Sequence, residues 1–284
     1  EHTMNPDTLK GQYYKAAPTL IDQQLDEAFE SERGPGATPR ISEDRSLEGI
    51  ITPVYDYEYA APCAGWAYDD LAQSGFPDVF IIPVQADKTA VTEETFTTPY
   101  DYVRVDQTFQ RELHRKTGAK YDNDVFTESD LVQSQLPLLQ YTFSSEREAI
   151  KLAPIALSAE KTLKSFAIDI KEVAVDLDRS FRIIAPTNII QYGTEYNFVP
   201  FTQERLQKIQ DLDKTTLNRI RDNEPLSLLE HVSSNHLSMN NYLGVVLALL
   251  LIDPDTVNVE QYYTTHDIDG DETSIVSFAA ITLE

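Results

Sequence analysis

The chain has 284 residues, 41% hydrophobic and 25% charged, which is enough to bury a large core and excludes a low-complexity or collagen-like protein. Its 47 acids against 23 Lys and Arg give a net charge of −24, which argues against non-specific binding to nucleic acid or to an anionic membrane face. The single cysteine, Cys63, excludes an intrachain disulfide and fits a reducing cytoplasm, and no apolar run reaches the roughly 18 residues of a membrane span.

Residues 1–10 are expected to be an amino-terminal extension, either an expression scar before Met4 or the trimmed end of a longer chain. A helix is predicted to open at Thr19, with Leu20, Ile21, Leu25, Ala28 and Phe29 on one face and Asp22 where a capping-box carboxylate would stand. Two Pro, two Gly and mixed charge make 31–46 a loop. A buried strand over 47–54 precedes a helix over 60–73, which Gly75 and Pro77 end. A second strand follows over 79–84 and an amphipathic segment over 106–116, with Phe109 and Leu113 four apart. Strands over 150–157 and 181–185 flank a helix over 159–173. Further helices are expected over 202–222, from Pro225, and over 241–252. The segments 257–264 and 274–283 read as a closing β-hairpin.

Strands alternate with helices from 47 to 185, which predicts an α/β fold, a single domain over 11–284 with a mainly parallel central sheet flanked by helices and a C-terminal β-hairpin. In such sheets ligands bind at the carboxyl ends of the strands. The loops after Ile51, Ile82, Leu157 and Ile184 are therefore the places to look.

Those loops carry a series of sequence echoes. Lys10-Gly11-Gln12-Tyr13-Tyr14-Lys15 stands near the amino end, and Thr52-Pro53-Val54-Tyr55-Asp56-Tyr57 and Pro83-Val84-Gln85-Ala86-Asp87 at two strand ends. Thr98-Pro99 is followed by Asp106, and Ser129-Asp130-Leu131-Val132-Gln133-Ser134-Gln135-Leu136-Pro137 comes next. Pro154 lies in a strand, Pro186-Thr187-Asn188-Ile189-Ile190-Gln191-Tyr192 at a strand end, and Ser238-Met239-Asn240-Asn241-Tyr242-Leu243 before the apolar helix. In this order and spacing the chain resembles the Memo family, which is similar in fold to class III extradiol dioxygenases.

The resemblance implies a metal site that this sequence lacks. Family members that bind a redox metal are expected to use a His in A-P-H-A-G-Y, the first His of G-P-S-H-H and the Cys of C-G-x-x-P-I. The matching positions here hold Val54, Ala86 and Ser238. Val and Ala offer no lone pair, and a neutral hydroxyl is a poor substitute for a thiolate. Neighbouring polar positions differ too: Asp130 for His, Gln133 for Glu, Asn188 for Asp and Gln191 for His. Framework residues such as Thr98, Pro99, Asp106, Gln135 and Pro137 stay.

The candidate pocket is therefore Asp56, Tyr57, Asp87, Asp130, Gln133, Asn188, Gln191, Tyr192 and His236, around the vestigial positions Val54, Ala86 and Ser238. Two readings stay open. One is a degenerate, metal-free binding or scaffold protein with no cofactor, in which tyrosines such as Tyr55, Tyr57, Tyr59 and Tyr192 fill the space. The other is an enzyme with a rebuilt site, in which Asp56, Asp87 and Asp130 hold Mg²⁺ or Ca²⁺ or form an acid–base pair, with Tyr57 or His236 as a further group. Against the second stands the plainer view that these acids face solvent or cap helices. Asp267, Asp269, Asp271 and Glu272 read as a polar hairpin turn, because Gly270 is at the fourth position where a calcium loop needs it at the sixth. Cys63 reads as a small core residue. By family analogy the partners would be AMMECR-type or radical-SAM proteins, or else an unknown protein or small molecule.

Overall fold

The computed structural model describes residues 4–158 and 162–284, so His2 and the first three residues of the helix predicted over 159–173 lie outside it. Among the described residues the strands are β1 (Met4–Asn5), β2 (Gly49–Thr52), β3 (Val79–Gln85), β4 (Ala90–Val91), β5 (Thr95–Thr98), β6 (Asp101–Val105), β7 (Lys120–Tyr121), β8 (Lys151–Leu157), β9 (Phe181–Pro186), β10 (Gln191–Tyr192), β11 (Val257–Thr264) and β12 (Ile275–Leu283). The sheet runs β1-β5-β6-β8-β3-β9-β2-β12-β10, with β11 on β12. Its centre, β6-β8-β3-β9-β2, is parallel throughout. The closing hairpin adds antiparallel strands on one side, β12 pairing with both β11 and β2.

The central strands are apolar at nearly every position because both faces are covered. Phe80, Ile82 and Val84 of β3 pack with Leu25, Phe29, Ala64 and Tyr68 from the helices Pro18–Glu30 and Tyr57–Ala72. Val79 and Ile81 face the other way, onto Ile170 and Val246 from the helices Leu163–Asp176 and Tyr242–Ile252. The Tyr242–Ile252 helix is apolar on all sides because it is enclosed, lying on β3 and β9 beneath the helices Leu163–Asp176 and Pro225–Ser234.

Several elements differ from the sequence reading for identifiable reasons. The first helix begins one residue earlier than predicted, with Pro18 in its first turn, where a missing N–H costs nothing. Asp22 makes no cap; its carboxylate accepts the hydroxyl of Tyr100. The second helix begins at Tyr57, three residues before position 60, because the Asp56 carboxylate caps it by accepting from the Glu58 N–H at 2.9 Å. Pro62 lies inside that helix and cannot donate to Glu58. One residue on, the hydroxyl of Tyr263 is inserted into the helix. It accepts from the Cys63 N–H at 3.1 Å and donates to the Tyr59 carbonyl, replacing a helical rung.

The stretch expected to be an extension is partly built into the fold. Met4–Asn5 pair in parallel with Thr95 and Phe96, and Asn5 and Leu9 are buried. The β5–β6 hairpin and the short helices Asp130–Gln133 and Leu136–Thr142 were not predicted. The hairpin turn at 267–272 is polar: Asp267 accepts from the Thr264 N–H at 2.8 Å, Asp271 accepts from the Thr273 N–H at 2.7 Å, Gly270 supplies a left-handed residue, and Arg33 donates to the Asp267 carbonyl at 2.9 Å. Among the described residues no helix is long and apolar enough to cross a membrane.

Candidate functional site

The carboxyl ends of β2, β3 and β9 converge, and side-chain amides hold them together. Asn188, fully buried just past β9, forms a two-way clasp with Val54 just past β2. Its Oδ1 accepts from the Val54 N–H at 3.0 Å and its Nδ2 donates to the Val54 carbonyl at 2.8 Å. Gln135 reaches the same segment from the other side, donating to the Pro53 carbonyl at 3.1 Å while accepting from the Tyr68 hydroxyl at 2.9 Å.

Asn241, also fully buried, does the same for β3 and β9. It donates to the carbonyls of Pro83 at 2.9 Å and Pro186 at 2.8 Å and accepts from the Gln85 N–H at 2.7 Å. Both carbonyls belong to prolines, which supply acceptors but no donor at the strand ends. Asn240 accepts from the Asn188 N–H at 2.7 Å and from the Thr187 hydroxyl at 3.1 Å. Gly244 permits the close seating of the apolar helix, since a Cβ there would stand 2.5 Å from both the Asn241 side chain and the Pro83 carbonyl.

None of the three positions that the resemblance matches to metal ligands carries an imidazole or a thiolate. Val54 is held through its backbone, and Ala86 presents a methyl group while its N–H donates to Leu157 at 2.9 Å. The Ser238 hydroxyl oxygen accepts from the Gln191 N–H at 2.9 Å. Among the described residues no group of three or more His, Cys, Asp or Glu side chains is placed to hold a metal ion. The donor set therefore does not fit the redox metal that the resemblance implies.

The candidate carboxylates are engaged separately. Asp56 caps a helix, and burial pushes its pKa above the ordinary carboxylate value. Asp130 accepts from the Tyr13 hydroxyl at 2.6 Å, and burial followed by that carboxylate pushes the Tyr13 phenol well up, so it stays protonated. Asp87 is exposed. His236 is exposed too, with a left-handed φ of 50° in the turn after the Pro225–Ser234 helix, so it is a turn residue and not part of the cluster.

The remaining candidates are buried structural groups. Gln133 donates to the Thr97 carbonyl at 2.9 Å. Tyr57 packs on Tyr14 at 5.1 Å and donates to the Ser134 carbonyl at 2.6 Å. Tyr192 stacks on Phe201 and donates to its carbonyl at 2.5 Å. Cys63 is buried in the core, which pushes its thiol pKa up. The retained Asp106 caps the Gln107–Thr117 helix and accepts from Arg179 Nε at 2.9 Å.

Beside this braced centre lies a cleft of about 530 Å³, bordered by Leu9, Tyr13, Gln85, Ser129, Asp130 and Asn240 among others. Sequence reasoning found Asp130 and missed Gln85, Asn240 and Asn241. Gln85 at the end of β3 and the Asn240-Asn241 pair before the apolar helix were the available signal, but none of them stands at a position where the resemblance implies a ligand.

This is an α/β protein with a parallel central sheet and an amide-braced cleft at its strand ends. The family model described as Memo-like protein matches residues 6–282, so the chain belongs to the Memo family. A MEMO1 family protein of Methanopyrus kandleri is 26% identical over 285 residues, covering 95% of each chain. One from Methanobrevibacter smithii is 27% identical over 289 residues, covering 95% of this chain and 96% of the other. One from Pyrococcus horikoshii is 24% identical over 289 residues, covering 96% and 97%. Among solved structures, an uncharacterized protein of Escherichia coli K12 aligns with a TM-score of 0.49 at 10% identity, over 84% of this chain and all of that one.

Proposed function

We propose that this chain is a metal-free, non-catalytic member of the Memo family that binds a ligand or protein partner at the carboxyl ends of its strands. The observation that carries the reading is the amide brace. Around the strand ends where the resemblance places a metal site, Asn188 and Asn241 join the backbone by neutral hydrogen bonds. Each buried amide has its donors and acceptors satisfied by backbone groups, which makes the arrangement rigid without an ion.

The adjacent cleft offers hydroxyls, amides and the Asp130 carboxylate. It suits a polar ligand rich in hydrogen-bond donors. A cytoplasmic protein partner of the AMMECR-type or radical-SAM kind, suggested by family analogy, is one candidate; a small molecule is another. The alternative of a site shared by Asp56, Asp87 and Asp130 is less well supported, since among the described residues no group of three or more such side chains is placed to hold an ion.

Elemental analysis of protein grown with added iron, copper and zinc tests the reading. The expected result is no stoichiometric transition metal. One tightly held ion per chain would overturn it. Light scattering and pull-down from native extract then separate a protein partner from a small ligand.

A further inference from the structure

A larger groove, of about 1300 Å³, lies away from the braced cleft. Asp78, Lys151 and Arg179 border it at or just before the amino ends of β3, β8 and β9, so it sits at the opposite end of the sheet. Its charges are mostly paired. Arg111 holds Glu93 at 2.8 Å, Arg179 holds Asp106 at 2.9 Å, and Asp122 is held by Lys88 at 2.8 Å.

Among the lining cations, Arg104 and Lys151 have no salt bridge to an acid among the described residues, and the carboxylates of Asp78 and Glu94 also border the groove. Arg104 and Lys151 are register partners on the parallel strands β6 and β8. Strand neighbours lie about 4.8 Å apart, and register partners in a parallel pair point to the same face. Two cations are thus side by side across a strand pair, an arrangement that costs stability. Acids outnumber bases by about two to one in this chain, so a cation opposed to a cation is the less expected outcome. The Arg104 guanidinium donates to the Tyr102 hydroxyl at 2.8 Å and lies 4.9 Å from that ring's centre, which fixes its direction. Met4 and Tyr121, both nearly half exposed, add apolar surface to the same groove.

We propose that this groove binds a phosphate group, free or carried on a small molecule, between Arg104 and Lys151. A tetrahedral dianion can present one oxygen to a guanidinium fork and another to an ammonium carried on the neighbouring strand, and it relieves the repulsion between them. The apolar surface of Met4 and Tyr121 would take the organic part of such a molecule.

The test is calorimetry on the full chain at constant ionic strength, with inorganic phosphate and glycerol 2-phosphate as probes and chloride as the control. Arg104→Glu is the decisive variant. It places a carboxylate opposite Lys151, so the fold is expected to hold or gain in melting temperature while phosphate affinity falls by about tenfold or more. Lys151→Gln is expected to weaken both probes to a similar degree and keeps the test valid if the first variant folds poorly. Tighter binding of glycerol 2-phosphate than of inorganic phosphate assigns a carried phosphate, and equal binding assigns the free ion. No saturable binding to the wild type, or undiminished binding to both variants, overturns the proposal.

Discussion

Asp213 is the most consequential charge in the interior. It lies on the Arg205–Arg221 helix, 1% exposed, and its Oδ2 accepts from Ser277 Oγ at 2.6 Å and from the Tyr262 hydroxyl, while Oδ1 has no partner. Burial raises its pKa from 3.8 to about 7, against the opposing effect of the two hydroxyl donors. The folded state therefore holds a proton that the unfolded state releases, and stability falls as pH rises from the unfolded value through the folded one. Over the whole interval this amounts to about 4 kcal/mol, of which about 2 kcal/mol falls above pH 5.5. Working above pH 5.5 also keeps clear of the pI near 4.4. Asp213→Asn stays neutral throughout and keeps an acceptor for both hydroxyls. Urea unfolding followed by the fluorescence of Trp66 should show the variant gaining about 2 kcal/mol on the wild type between pH 5.5 and 8.5. Parallel stability curves would refute the argument, because they would mean Asp213 carries the same charge in both states.

Tyr263→Phe removes the hydroxyl that bridges Cys63 and Tyr59, leaving a buried N–H and carbonyl unpaired; a loss of about 2–4 kcal/mol is expected in urea unfolding, with faster hydrogen exchange at the Cys63 amide. Gly244→Ala drives a methyl group into the Asn241 side chain and the Pro83 carbonyl, and should cost about 1–3 kcal/mol and lower the melting temperature.

The parallel centre of the sheet was legible because its strands are short apolar runs between helical patterns, and β3, β8 and β9 fall within a residue or two of prediction. The β5–β6 hairpin was not, although β6 joins that parallel centre, since Thr95–Thr98 and Asp101–Val105 are short and carry few apolar residues. Helix starts were misplaced where the cap depends on tertiary structure: Asp22 had the right spacing for a cap but found Tyr100. The site was legible as a place and not as a mechanism of cohesion. The sequence located the strand ends and Asn188, but the pairing of Asn188 with Val54, 134 residues away, and of Asn241 with Pro83 is invisible to local pattern.

The choice of Asn over Asp at position 188 is where the brace and the family pattern meet. The resemblance places an aspartate there, and a carboxylate is acceptor-only when ionised. It could take the Val54 N–H but would set a second charged oxygen against the Val54 carbonyl, in a fully buried position. Asn188→Asp should therefore destabilise the fold by about 3 kcal/mol at pH 8.5. Burial would raise the new carboxyl's pKa. Once protonated it can donate to Val54 as the amide does, so the deficit should shrink as pH falls toward 5.5. Urea unfolding of the variant against wild type at the two pH values reads this directly. A deficit that does not change with pH would mean that donation to the Val54 carbonyl is not what holds β2 to β9, and the proposed rigidity of the strand ends without an ion would lose its support.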